Sequence, residues 1–217
     1  MKPLPSSIFL PGLAVTILLG AGCSSVPDTY HDPDHVAYQE ADHHVLTWTA
    51  DEVSLGSPPR VHVALPVSTV VATRDSLGQE EIERHLQTCF ADALNARLGP
   101  SSARCATATD ACTEPGWVNL ELTIVDCWAG DRGTSMIPLL GATGAGYPWI
   151  LVRGALRPCD GGEPVFRFVV KRGFEGREAG DSWSGYEDPM KELIKDMALD
   201  VSELVERLRD HRPLRSL

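Results

Sequence analysis

Val61, Val63 and Leu65 alternate with His62 and Ala64, and this period of two reads as a strand with one buried face that ends near Pro66. The period then changes. Ser76 followed by Gln79 has the form of a capping box. Ile82, Leu86, Cys89, Phe90, Ala93 and Leu94 keep helical spacing, and Gly99-Pro100 supplies the stop. An apolar stripe this wide needs a sheet to lie on. Val118, Leu120, Leu122 and Ile124 alternate with Asn119, Glu121 and Thr123, which predicts a second strand running to about Trp128. Trp149-Ile150-Leu151-Val152, continuing to Leu156, and Val165-Phe166-Arg167-Phe168-Val169-Val170-Lys171 flank the tight-turn composition Pro158-Cys159-Asp160-Gly161-Gly162. These segments predict a hairpin. The chain closes on a second helix with Asp188 as N-cap and Pro189 at its first position. Met190, Leu193, Ile194, Met197, Val201, Leu204, Val205 and Leu208 share one face, and Arg207, Arg209 and Arg212 sit at the end the macrodipole favours.

The order is therefore β-α-β-β-β-α. A right-handed crossover makes the first two strands parallel where they are neighbours, and the last three form an antiparallel meander. The expected class is α/β: a two-layer sandwich with a mixed sheet and both helices on one face, occupying residues 60–217. Upstream the pattern is different. Residues 1–22 start with Lys2 and hold an uncharged apolar run over residues 8–22, shorter than the roughly 20 apolar residues a spanning helix needs, so they read as a leader peptide. Residues 23–59 are rich in Asp, His, Pro, Ser and Glu with no apolar period before Val45. They read as a flexible acidic and His-rich tether, in which Val45-Leu46-Thr47-Trp48-Thr49 is a short edge strand or a contact with the domain.

Leu19-Gly20-Ala21-Gly22-Cys23 resembles the lipobox of bacterial lipoproteins, with Gly20 standing where that pattern commonly has Leu, Val or Ile. The resemblance implies cleavage before Cys23, a diacylglyceryl group on its thiol and an acyl chain on its amino group, with no other cofactor. Several acyl chains hold a protein stably to a bilayer, which is then a partner of the chain. Ser24, in place of the Asp that marks inner-membrane retention, implies an outer-membrane anchor facing the periplasm. Element order together with the lipobox is similar to uncharacterised envelope lipoproteins, to the amino-terminal domain of TolB and to the periplasmic domain of the curli secretion lipoprotein CsgG. That likeness covers about Arg60 to Arg209.

Composition narrows the function further. The 217 residues are 43% hydrophobic and 23% charged, enough for a packed core, and the formal net charge of −11 opposes wrapping of nucleic acid. Beyond Cys23 there are five cysteines, in a compartment that permits disulfides. Cys112 precedes the second strand and Cys159 follows the third, so antiparallel pairing brings them together. Cys89–Cys105 is the next expectation, with Cys127 single, and Cys105–Cys112 is the competing pairing.

No residue set identifies a reaction. Gly180-Asp181-Ser182 resembles the nucleophile block of the GDSL hydrolases, which implies an envelope hydrolase using Ser182, but the block stands far from the domain start and no Asp-x-x-His follows. The sequence contains no nucleophile elbow, Walker loop, Cys-x-x-Cys or His-Glu-x-x-His. His31, His35, His43 and His44 lie among acids that would suit a metal, without the fixed spacing of a structural site, so no metal site is expected and a metal-binding lipoprotein acting through this tether stands as an alternative.

Two surfaces invite contact instead. The first is the glycine-rich stretch from Met136 through Ile137, Leu139, Leu140 and Tyr147 to Trp149, too apolar for a comfortable solvent loop. The second is a basic stripe of Arg153, Arg157, Arg167 and Lys171, which share the sheet face opposite the helices if the hairpin keeps simple register. The expectation is a non-enzymatic envelope lipoprotein that binds an envelope protein or glycan, with self-association open.

Overall fold

The computed structural model describes residues 30, 32–42, 44–50, 55, 59–69, 78–107, 112–128, 130, 146–173 and 189–211. The strands are β1 (Gln39–Asp42), β2 (Val45–Thr49), β3 (Arg60–Val63), β4 (Val67–Ser68), β5 (Ala103–Cys105), β6 (Trp117–Trp128), β7 (Trp149–Pro158) and β8 (Phe166–Gly173). The helices are α1 (Gln79–Leu98) and α2 (Pro189–Arg209). The strands form one mixed sheet in the order β1-β2-β8-β7-β6-β3-β5, with β4 also pairing β6. β6, β7 and β8 are the antiparallel meander, and β3 lies parallel to both β6 and β5.

One face of the sheet carries the core. Leu120, Leu122 and Ile124 of β6, Ile150, Val152 and Leu156 of β7, and Phe166, Phe168 and Val170 of β8 are buried in one cluster. The same cluster includes Leu86, Phe90 and Leu94 of α1 and Ile194, Met197, Val201 and Leu204 of α2. Both helices therefore cover the same face, as the apolar stripes require, and each such side chain is worth roughly 1.5–3 kcal/mol on burial. Two close fits set the spacing between layers. Gly154 leaves room for the Phe168 ring, since a Cβ there would lie 2.1 Å from Cζ, and that ring stacks on Phe90 at 6.4 Å. Gln87 of α1 is buried, and its Nε2 donates to Val63 O and Ala106 O, both at 2.8 Å, tying the helix to the ends of β3 and β5.

The reading of residues 23–59 as a flexible tether is corrected at Gln39–Asp42 and Val45–Thr49, which form β1 and β2. β2 is not an edge strand: it pairs β8 from Val45↔Val170 to Thr49↔Phe166, and β1 forms the edge beyond it. The physical reason is burial, because Val45 and Ala41 enter the main core. β4 and β5 were not legible in the pattern, being two and three residues long. Helix α1 starts at Gln79 with Gly78 as N-cap and no side-chain capping bond, so the expected Ser76 cap does not define its start. Ser76 and Asp188 lie outside the described residues. Helix α1 ends at Gly99, whose φ of 117° suits glycine, and α2 begins at Pro189 as expected.

Candidate functional site

The second face of the sheet is crossed by no described helix. Alternation puts Glu121 and Thr123 of β6, Arg153 and Arg157 of β7, and Arg167 and Lys171 of β8 on this side, and the register sets Arg153 opposite Thr123 and Val169. All four expected basic residues thus share one face. A bulge between Ile124 and Asp126 in β6 breaks the alternation there, and Val125 packs with Leu46, Leu151, Val169, Tyr30, Tyr38 and Trp149 in a small outer apolar cluster.

Tyr30 and residues 32–38 lie on this face as a strap, with the Tyr30 and Tyr38 rings in the cluster. Tyr38 Oη donates to Asp32 Oδ2 at 2.7 Å, and the Asp34 amide donates to Asp32 Oδ1 at 2.7 Å. Asp32 Oδ2 stands 3.8 Å from Arg153 Nη1, and Asp34 Oδ2 accepts from Arg167 Nη1 at 2.6 Å. Burial, reinforced by Asp32, pushes the Tyr30 and Tyr38 hydroxyls above their ordinary values, so both stay protonated. Arg157 donates to Gly162 O at 2.6 Å, and its Nε is 3.4 Å from Glu121 Oε1. Lys171 Nζ lies over the Trp149 ring at 5.1 Å, and the Arg167 guanidinium is 5.8 Å from the Trp48 ring.

The expected basic stripe is therefore not an open cationic surface: three guanidiniums are set against Asp32, Asp34 and Glu121. Between them is a cleft of about 90 Å³ lined by Asp34, Tyr38, Glu121, Arg153, Arg157 and Arg167, among others. Arg153 Nη1 and Arg167 Nε are buried on this face without a hydrogen-bond acceptor. Forked donors of this kind suit a carboxylate or another oxygen acceptor. Sequence reasoning missed Asp32, Asp34 and Tyr38. Their Asp- and Pro-rich setting looks like linker, and the residues that hold them lie far away in sequence.

Cys112 and Cys159 are disulfide-bonded with Cα atoms 5.0 Å apart, where the start of β6 meets the end of β7. The expected Cys89–Cys105 bond is not formed. Cys89 Sγ lies 3.4 Å from His85 Nε2 on its own helix, and Cys105 Sγ faces Gln87 O at 3.8 Å. Burial, then Asp92, pushes both thiols up, away from nucleophile chemistry.

Of the glycine-rich stretch, Tyr147 is buried and Trp149 half-buried. Gly130 (φ 87°) packs so closely on Gly146 O that a Cβ would lie 2.7 Å away, so the two ends of the loop meet at a neck. Met136, Ile137, Leu139 and Leu140 lie outside the described residues, as do Cys23, Ser182, His31 and His43. His35 is exposed and His44 buried, and among the described residues no group of three or more His, Cys, Asp or Glu gathers as metal ligands would.

No protein-family model matches the sequence, and no curated protein is similar to it. Several solved structures show a partial likeness. A PelC dodecamer subunit from Paraburkholderia phytofirmans is 15% identical over 76% of this chain and 96% of its own, with a TM-score of 0.47. A DUF330 protein from Xanthomonas campestris is 9% identical over 70% and 87% (TM-score 0.44), and a DUF4136 protein from Bacteroides thetaiotaomicron is 11% identical over 79% and 97% (TM-score 0.41). At these values the likeness carries no argument about what the chain does.

Proposed function

We propose that this protein is an envelope lipoprotein, acylated at Cys23 and held at the outer membrane facing the periplasm, that works by binding another envelope component and not by catalysis. The sequence of the leader and its lipobox supports the anchor. The observation that carries the binding role is the pair of buried donors, Arg153 Nη1 and Arg167 Nε, beside a cleft that Arg157 also lines. Both atoms are buried, and Arg153 Nη1 has the 3.8 Å contact with Asp32 Oδ2, so an oxygen acceptor on a protein or glycan partner that takes the place of the strap would make hydrogen bonds that the strap does not. The glycine-rich stretch Met136–Trp149 is the second contact proposed for the same partner, and Gly130, which precedes it, packs closely on Gly146.

The experiment is affinity recovery from solubilised envelopes with the wild type, with R157Q/R167Q and with residues 136–148 deleted. The expected result is loss of a specific partner with the arginine variant. Equal recovery from the wild type and R157Q/R167Q refutes the cleft as the contact. Mass spectrometry of the native product reads the anchor directly, and an unmodified Cys23 thiol or an intact leader would remove it.

A further inference from the structure

The strap on the outer face behaves as a ligand would. Residues 32–38 add no strand to the sheet. Their hold is made by side chains: Asp32 and Asp34 on Arg153 and Arg167, and the Tyr30 and Tyr38 rings on the patch formed by Leu151 and Val169. The strap backbone is fixed by its own bonds, with the His35 amide donating to Asp32 O at 3.0 Å and the Asp34 amide to Asp32 Oδ1. Pro33, Asp34, His35 and Ala37 remain exposed. Two carboxylates two residues apart thus meet two guanidiniums on adjacent strands, while Arg157 takes no strap carboxylate and still lines the cleft.

We propose that the outer face is a receptor for an acidic peptide segment and that the Tyr30–Tyr38 strap is its resident pseudo-ligand, displaced when a partner presents carboxylates in the same i, i+2 spacing. The inference rests on the binding role given to this face above. A peptide is favoured because the observed mode satisfies both halves of the surface: carboxylates on the guanidiniums and rings on the apolar floor. A bare phosphate or a lipid headgroup matches only the first. Strap and partner compete for the same groups, so the strap sets a threshold that a weakly acidic segment does not pass.

The test uses the full chain and a fluorescent peptide of the Tyr30–Tyr38 sequence, read by anisotropy. The expected result is binding that is lost when both peptide aspartates become asparagine and is weakened when R167Q is added to D32N/D34N, where the strap no longer competes. In the protein itself, D32N/D34N keeps the turn-forming acceptor at position 32 but removes the competing charge. If the strap covers the face about nine-tenths of the time, that variant binds the peptide about tenfold more tightly. Equal affinity for wild type and D32N/D34N, or equal binding of the charge-stripped peptide, overturns the proposal. So does capture of D32N/D34N by phosphatidylcholine–phosphatidylglycerol vesicles with no peptide binding.

A second measurement needs no variant: peptide added to the wild type should speed amide exchange in residues 32–38, and unchanged exchange overturns displacement. The two readings fail separately. Peptide binding without any partner recovered from envelopes removes the envelope-binding role and leaves the acidic-peptide receptor; recovery of a partner without peptide binding does the reverse.

Discussion

Replacing Gly154 by alanine tests the packing that holds the two layers of the domain together. A Cβ at this position would lie 2.1, 2.5 and 2.8 Å from Cζ, Cε1 and Cε2 of Phe168. The ring has nowhere to go, because Phe168 is fully buried, stacked on Phe90 at 6.4 Å and packed against Phe166 at 5.8 Å. Two effects oppose each other. Alanine in place of glycine restricts the unfolded chain and favours folding by about 0.4–1 kcal/mol. Forcing a methyl into a filled core costs about 1–3 kcal/mol, and three contacts below 3 Å to an immobile ring put this site at the upper end. The clash wins, leaving a net loss of about 2 kcal/mol, or roughly 4–8 °C in Tm for a domain of this size.

Urea titration of wild type, G154A, F168L and G154A/F168L measures it. The ring is the cause, so the double variant should be more stable than the sum of the single losses predicts, with a coupling of about 1 kcal/mol or more. Wild-type stability in G154A, or strict additivity around the cycle, would refute the reasoning.

Three further outcomes follow from the same structure. Cys112 and Cys159 are separated by 47 residues, and chain entropy for a loop of that length assigns their bond about 4 kcal/mol, so C112S/C159S should unfold at distinctly lower urea; a loss below about 1 kcal/mol would contradict this. Q87L removes the donor shared by Val63 O and Ala106 O; Val63 O keeps the Ala106 amide at 2.8 Å, but Ala106 O loses its Gln87 donor at a cost of about 1–3 kcal/mol, and faster amide exchange in β5 should accompany it. Asp200 is the pH probe. Burial pushes its carboxyl above the ordinary value despite the bond it accepts from Arg172 Nε at 2.7 Å. A carboxyl raised in the folded state is protonated more readily there than in the unfolded chain. Its ionisation therefore costs stability at neutral pH, and the cost disappears as pH falls through the raised value. The stability of the wild type relative to D200N should accordingly increase on acidification, and a difference that shrinks instead would contradict the shift.

Pattern alone located the pieces that bury themselves by simple periodicity. Val118 to Ile124 alternates because one side of β6 faces helices, and Met190 to Leu208 recurs at helical spacing because α2 lies along that sheet; both could be read before any fold was known. The Cys112–Cys159 pairing was also within reach, since antiparallel neighbours place the start of one strand beside the end of the next. The register of the hairpin aligned Arg153, Arg157, Arg167 and Lys171 on one face for the same reason.

Partnership across long sequence distance was out of reach. Asp34 and Arg167 are 133 positions apart, and nothing local distinguishes an acid that will meet a guanidinium from one that will meet water. Residues 30–49 therefore looked like linker, although Val45 and Ala41 enter the core and Asp32 is buried against Arg153. β5 escaped notice because three residues carry too little alternation, and its place is decided by β3 offering a parallel edge. Local sequence sets which faces are apolar, and those faces define the elements. Which charges neutralise one another is decided only when the chain closes, because Coulomb and hydrogen-bond terms depend on distances that no stretch of sequence contains.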